Sequence, residues 1–370
     1  MLSAVVRYPH KDWNEMESDV NTGPAMAQAQ PRPARLKIGV IGTGRVGSAL
    51  GAALARAGHT VVAASGVSDA SVRRAHRNLP GVPLLDPPEV TARAELVLLT
   101  VPDDALPGLV AGLAATGAEL AGRLLMHTSG RFGAGVLDPA AARGALPLAL
   151  HPVMTFTGRP DDVDRLEGIC FGVTAPDELR PAAEALVIEM GGEPALIREE
   201  DRGLYHAALA SAANHVVGLV AEAADLLRAA GAASPARMLG PLLHAALDNA
   251  LRLGDAGLSG PVARGDADTV AGHIEVLGRT SPRALAAYLA LGRLTAGRAL
   301  AAGLLAPSDA QRLLDVLAGR SAPPGPGDDR GPGDDRGQGG PGGDRGQGGP
   351  GGDRGQDGPG DGRGRGEPPR

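Results

Sequence analysis

Aromatic residues are nearly missing from this chain: three Phe, three Tyr and one Trp among 370 residues. Any core of that size must then be aliphatic, built from the abundant Ala, Leu and Gly. Cysteine occurs once, at Cys170. That excludes an internal disulfide and fits a reducing, cytoplasmic setting. Lysine occurs twice, at Lys11 and Lys37. Positive charge is not in excess, since 36 basic residues face 42 acidic ones for a net charge of −6. Nothing electrostatic therefore speaks for a nucleic-acid partner. No apolar run reaches the roughly 20 residues of a membrane helix, so no membrane partner is expected. The first 35 residues hold Asp12, Glu15, Glu17 and Asp19 and no apolar run. They read as a disordered leader rather than a secretory signal, with Met26 as an alternative start.

What is present begins at Leu36. Leu36, Ile38, Val40 and Ile41 read as a buried strand, and Ser48 to Ala57 as a helix. Between them stands Gly42-Thr43-Gly44-Arg45-Val46-Gly47. G-x-G-x-x-G in strand–turn–helix context is the turn that holds a dinucleotide. The first glycine allows the tight turn, the second lets backbone approach a pyrophosphate, and the third lets helix and strand pack closely. The helix start adds free N–H groups and the positive end of its dipole.

The next strand, Thr60 to Ala64, fixes which dinucleotide is expected. An acid near its end accepts from the ribose 2′-hydroxyl of NAD. Here Ser65, Ser68, Arg73 and Arg74 follow, and the first acid is Asp69. A hydroxyl with guanidinium groups suits a 2′-phosphate, so NADP(H) is the expected cofactor. The competing reading leaves Arg73 and Arg74 on the solvated face of a helix.

Glu95 to Val101 reads as a buried parallel strand that Pro102 stops, with Asp103 as the cap of the next helix. Two further strands end in His127-Thr128-Ser129-Gly130 and in His151-Pro152-Val153-Met154-Thr155-Phe156. Ligands bind at this carboxyl edge. Val101, Pro102 and Ser129 are thus expected beside the cofactor, with His127 and His151 as catalytic candidates. Each histidine by itself also reads as a hydrogen-bonded structural residue. Ile169 to Thr174 and Glu193 to Ile197 extend the sheet, with a helix from Asp177 to Met190 between them.

From Glu199 onward the pattern is helical. Asp201 to Ala230 repeats Leu204, Ala208, Ala212, Val216, Leu219 and Ala223 at helical spacing, and carries Tyr205, His206 and Asn214. A helix from Pro235 and the loop Leu258 to Asp266 follow. In that loop Arg264 suits a substrate carboxylate with Asp266 orienting it; the pair equally suits a turn that caps the helix bearing His273. Ser281 and Ser308 mark the last helix starts. Beyond Gly319, Pro332, Pro341, Pro350 and Pro359 recur in a Gly-Asp-Arg-Gln background that lacks core formers, so the tail reads as disordered. No metal site is expected.

The ordered set GTGRVG (42–47), VPDDAL (101–106), HTSG (127–130), HPVMTF (151–156), YHAAL (205–209) with Asn214 and His215, and GPVARGD (260–266) resembles the family that joins a Rossmann-like domain to domain of unknown function 2520. Ser259 stands where Thr is expected. The resemblance implies an α/β fold: a Rossmann-type, doubly wound, mostly parallel sheet at 36–198. An all-α domain like the C-terminal domain of 6-phosphogluconate dehydrogenase would follow at 199–320, between disordered termini at 1–35 and 321–370. It implies kinship with β-hydroxyacid dehydrogenases, ketopantoate reductases and pyrroline-5-carboxylate reductases, and an intertwined homodimer.

The expected function is NADP-dependent reduction of a small 2-oxo acid, ketopantoate in particular. Reduction of a C=N bond and a catalytically silent NADP-binding protein are the alternatives. The relatives that place a lysine on the long helix have Ala210 as their counterpart here, so a lysine mechanism is excluded. His206, His127 and His151 remain as proton donors, Asn214 as a hydrogen-bond partner and Arg264 as the carboxylate anchor.

Overall fold

The computed structural model describes residues 35–320. The expected disordered tail, and the leader apart from Arg35, lie outside the described residues. The chain divides into two units, Met1–Ala236 and Arg237–Arg370.

In the first unit the strands are β1 (Lys37–Ile41), β2 (Thr60–Ser65), β3 (Leu96–Leu99), β4 (Leu124–His127), β5 (Leu146–Pro152), β6 (Cys170–Thr174) and β7 (Glu193–Leu196). Its helices are α1 (Arg45–Arg56), α2 (Asp69–Asn78), α3 (Pro87–Arg93), α4 (Leu106–Ala115), α5 (Asp138–Ala141), α6 (Arg180–Glu189) and α7 (Arg202–Ala229). The sheet order is β2-β1-β3-β4-β5-β6-β7. Strands β1 to β5 run parallel, β6 is antiparallel to β5, and β7 is parallel to β6.

Period-2 alternation explains the two cores. Leu96 and Leu98 face one layer, with Ile38, Val40, Leu50, Leu54 and Leu148. Val97 and Leu99 face the other, with Ile41, Val90, Val110 and Leu125. A strand buried on both faces must be apolar at every position, which is why LVLL reads as a continuous run.

Several boundaries differ from expectation. Helix α1 starts at Arg45 instead of Ser48, because the glycine turn itself delivers the chain into helical geometry and Ser48 already donates its N–H to the Gly44 carbonyl. Asp103 does not cap α4. Ala105 holds that position, and the Pro102 carbonyl accepts the N–H groups of Ala105 and Leu106. Asp177 pairs with Arg180 and leaves Leu179 at the start of α6.

Helix α7 groups with the first unit, whereas the sequence placed the division after residue 198. Its amphipathic stripe is not a core stripe in the single chain: Leu204, Val216 and Leu219 are exposed. The helical run 199–229, with mean hydropathy 1.3, is also long and apolar enough to cross a membrane by length and composition, contrary to expectation.

The second unit holds most of α8 (Pro235–Leu253), then α9 (Gly260–Ala263), α10 (Ala267–Thr280), α11 (Pro282–Ala301) and α12 (Pro307–Leu317). Val270, Ala296, Ala299, Leu305, Leu313 and Leu317 form its core. The expected 258–266 loop is partly helical, since α9 occupies its middle.

Candidate active site

The glycine turn has the geometry a pyrophosphate requires. Gly42 adopts φ +100°, which only glycine takes without strain. The N–H groups of Gly42 and Thr43 donate to the Ser65 carbonyl at 2.9 and 3.0 Å, which ties the turn to the end of β2. Thr43 is buried, and its hydroxyl donates to the Ser71 carbonyl at 3.1 Å. Thr100 at the end of β3 donates its hydroxyl to the Gly42 carbonyl at 2.6 Å. A Cβ on Gly47 would collide with that Thr100 hydroxyl and with the Gly42 carbonyl, so helix and strand meet here without a side chain between them. A Cβ on Gly44 would meet nothing, and the space above it is open for a phosphate. No acidic residue and no side-chain cap occupies the first turn of α1. The residues present thus fit a dinucleotide at its pyrophosphate. Val46 is partly buried against the core, and Val101 and Pro102 follow β3 at the same edge.

Beyond β2 the four expected residues, Ser65, Ser68, Arg73 and Arg74, have different surroundings. Ser65 is buried and uses its carbonyl for the turn, and Ser68 caps α2 by accepting the Ser71 N–H at 3.2 Å. Arg73 is exposed, whereas Arg74 is half-buried and lies beside Arg45.

The two strand-end histidines have different environments. His127 is fully buried at the end of β4. Its Nε2 is 2.8 Å from the Gly133 carbonyl, and its Nδ1 is 3.2 Å from the Ser129 N–H. A carbonyl only accepts and an N–H only donates, so the ring is the neutral tautomer with hydrogen on Nε2. Burial pushes its pKa from 6.5 down to about 4, against the opposing effect of the hydrogen bond it donates to the Gly133 carbonyl. Both nitrogens are spent on the 127–133 loop, and none is left to give a substrate a proton. This corrects the expectation of His127 as an acid. The Ser129 hydroxyl likewise accepts the N–H groups of Arg131 and Phe132, each at 3.2 Å, and shapes that loop.

His151 stands one strand further along. Its Nδ1 is 2.8 Å from the Tyr205 hydroxyl, with the rings edge to face at 5.6 Å. Burial, and then the charge of Arg202, bring its pKa from 6.5 to about 4. His206, on the next position of α7, reaches the same place. A Cβ on Gly130 would lie 2.9 Å from His206 Cδ2 and 3.0 Å from His151 Nε2. The two imidazoles therefore meet over a bare glycine, the last residue of HTSG.

Arg202 anchors this arrangement. It is 2% exposed. Its Nε donates to the Thr174 hydroxyl at 2.7 Å, and one terminal nitrogen donates to the carbonyls of Ala149 and Gly172 at 3.0 Å each. The guanidinium also lies 5.5 Å from the Tyr205 ring centre. The other terminal nitrogen is buried without a partner. Through these bonds the first turn of α7 is pinned across the ends of β5 and β6.

A cavity of about 460 Å³ opens beside the pair, lined by His151, Met154, Thr155, His206, Ala210 and Asn214 among others. The polar candidates on α7 thus share a wall with the end of β5. Ala210, in place of a lysine, is part of that wall. Arg264 lies in the second unit, exposed at the end of α9. Asp266 accepts the N–H of Thr269 at 3.1 Å and its hydroxyl at 2.7 Å. Its carboxylate therefore caps α10, the other of its two expected roles. Sequence reasoning passed over Arg202, which no motif marks, and gave Tyr205 no role although it precedes His206. Asp103, read as a cap, is a half-buried carboxylate whose charge acts on both His127 and His151. Among the described residues no cluster of three or more His, Cys, Asp or Glu could hold a metal.

The glycine turn and the parallel strands place the first unit in the class of Rossmann-type dinucleotide-binding folds. The chain matches the model of a Rossmann-like domain over residues 21–152 and that of domain of unknown function 2520 over residues 169–295. It is 35% identical over 169 residues to a glycerol-3-phosphate dehydrogenase, NAD(P)+, of Bradyrhizobium sp. strain ORS 278; the match covers 42% of this chain and 50% of the relative. The corresponding enzyme of Bradyrhizobium sp. strain BTAi1 is 31% identical over 199 residues, covering 50% and 59%. The chain thus spans about half the length of the curated relatives it matches. Among solved structures, protein BF3122 from Bacteroides fragilis is similar at 23% identity and TM-score 0.60, covering 70% of this chain and 98% of that one. Protein TM1727 from Thermotoga maritima follows at 20% and 0.56, covering 72% and 99%. An imine reductase from Pseudomonas sp. reaches 20% and 0.51, covering 73% and 96%. At these identities the likeness is one of fold.

Proposed function

We propose that this protein is an NADP(H)-dependent oxidoreductase that reduces a small substrate in the cavity between the end of β5 and α7. The observation that carries the reading is the placement of two features at one edge of the sheet: a glycine turn with its phosphate space open, and a cavity walled by His151, His206 and Asn214. The glycerol-3-phosphate dehydrogenases similar to part of the chain, and an imine reductase of similar fold, are in keeping with it. When bound, the nicotinamide supplies hydride; the chain supplies orientation and a proton.

For the substrate we favour a 2-oxo acid, with ketopantoate as the specific candidate, His206 as the proton donor and Arg264 as the carboxylate anchor. A specific observation supports a second reading, reduction of a C=N bond. His127 and His151 are both neutral at pH 7, and an iminium carries its own proton and needs no acid. A homodimer belongs to the same proposal, because the apolar residues Leu204, Val216 and Leu219 of α7 are exposed in the single chain.

One panel tests these readings: NADPH oxidation by the purified full chain with ketopantoate, with 1-pyrroline-5-carboxylate, and NADP+ reduction with glycerol 3-phosphate. Turnover of ketopantoate supports the first reading and turnover of the pyrroline supports the second. NADPH binding without turnover of any of them marks a silent cofactor-binding protein. If ketopantoate is the substrate, Arg264→Ala is expected to raise KM at least tenfold and to leave the Kd for NADPH unchanged.

A further inference from the structure

Tyr205 touches the candidate site, yet neither proposed reaction uses it. Its phenol stands on bare backbone: a Cβ on Gly172 would collide with the Tyr205 hydroxyl and ring. Burial raises the phenol pKa, against the charge of Arg202, so the hydroxyl keeps its hydrogen at neutral pH. That hydroxyl lies 2.8 Å from His151 Nδ1 and has no other acceptor among the described residues. A protonated phenol has one hydrogen to donate, so Nδ1 is the acceptor. The His151 ring is neutral at pH 7, because burial, and then the charge of Arg202, oppose its protonation. His206 and His127 act in the same sense, and Asp103 acts against them. A neutral imidazole that accepts at Nδ1 carries its hydrogen on Nε2.

That hydrogen is not consumed inside the protein. Nε2 lies over Gly130, where a Cβ would come within 3.0 Å of it. It has no hydrogen-bond partner among the described residues. His127 is the contrast, since both its nitrogens are bonded to its own loop. His151 and His206 both line the cavity.

We infer that Tyr205 fixes the tautomer of His151, so that Nε2–H meets the substrate as a hydrogen-bond donor and selects a reacting group with a free lone pair, a carbonyl rather than an iminium. The inference rests on the proposed reductase reading. A carbonyl oxygen gains negative charge when its carbon takes up hydride, and a donor already in place stabilises that charge. The hydride forms the new C–H bond, the C=O π pair moves to oxygen, and the proton from His206 completes the hydroxyl. His151 keeps its hydrogen throughout. An iminium N–H has no lone pair to offer and would set hydrogen against hydrogen. Tyr205 acts through His151 and is a positioning residue.

Long-range ¹H–¹⁵N spectra of the full chain at pH 7 test the tautomer without substrate or cofactor. In the wild type His151 is expected as a neutral ring with hydrogen on Nε2, its signals assigned by their loss in His151→Ala. Tyr205→Phe keeps the ring and removes only the hydroxyl. It should turn His151 into a mixture of both tautomers, while an unchanged His127 shows that the fold is intact. With ketopantoate the same variant is expected to lower kcat about 2- to 12-fold, the worth of one neutral hydrogen bond, and to leave KM and the Kd for NADPH within about twofold. His151→Ala should lower kcat about 10²- to 10³-fold, as loss of an oxyanion donor does. A wild-type ring with hydrogen on Nδ1 overturns the inference, as does an unchanged His151 in Tyr205→Phe. Turnover of 1-pyrroline-5-carboxylate in place of ketopantoate also overturns it. Those three outcomes leave the reductase reading standing. If nothing in the substrate panel is turned over, the reductase reading fails and the donor role falls with it.

Discussion

At the scale of single residues the site is a pair of imidazoles over one glycine. His151 is held by Tyr205 and kept neutral by burial, whereas His206 sits half-buried on the cavity wall. His151 is engaged by Tyr205 whereas His206 lines the cavity, so His206 is the proposed acid. With a carbonyl substrate, His206→Ala is expected to lower kcat by about 10²- to 10⁴-fold, the usual worth of general acid catalysis, with NADPH affinity unchanged. With an imine substrate the same variant should lose little. The comparison thus reports the substrate class as well as the residue. Unchanged turnover on a carbonyl substrate would remove His206 from the mechanism.

At the scale of elements, two helix starts do most of the positioning. Arg202 ties the first turn of α7 to β5 and β6 through Thr174 and two strand carbonyls, and this sets where Tyr205 and His206 point. In the second unit Asp266 caps α10, and α10 brings Val270 to the core. Asp266→Ala is expected to lower the midpoint of urea unfolding, because it removes the N-cap of α10. Were Arg264 and Asp266 instead one substrate-binding pair, the variant would raise KM and leave stability alone.

At the scale of the whole molecule, the two buried histidines make stability depend on pH. Both titrate at about 4 in the folded chain, against an ordinary value of 6.5. Between those values the unfolded chain binds protons that the folded chain refuses, so stability is full above about pH 6.5 and falls as the pH drops toward 4. For the fully buried His127 the loss is roughly 3 kcal/mol at most; for His151, partly open to solvent, it is smaller. The midpoint of urea unfolding is expected to decline over that window. Long-range ¹H–¹⁵N spectra at pH 5 should show His127 neutral with its hydrogen on Nε2; a charged ring at that pH would refute the assignment. Asp162, whose folded pKa is lowered, loses its contribution only below this window, as its carboxylate protonates.

Much of the architecture was legible because it is local. GTGRVG names a turn whose strained residue, open residue and close-packed residue are each glycine for a separate steric reason. ELVLLTV and ALPLAL are strands because burial on both faces demands continuous apolar residues. The absence of lysine after Lys37 by itself excludes a lysine proton donor on the long helix. Caps were harder to read. Asp103 and Asp177 precede helices, but a cap depends on the dihedral angles of one residue, and the Pro102 carbonyl and Arg180 took those two positions elsewhere.

What tertiary structure alone decided is which distant residues touch. His127 and His151 look alike as strand-end histidines, yet one is locked by the backbone of its own loop while the other reaches 54 residues along the chain to Tyr205. Arg73 and Arg74 are neighbours, yet helical rotation exposes one and sends the other to Arg45 and Gly158. Composition and period determine which faces are buried. The partner of a polar side chain depends on where separate elements end in space, and a linear pattern carries no record of that distance.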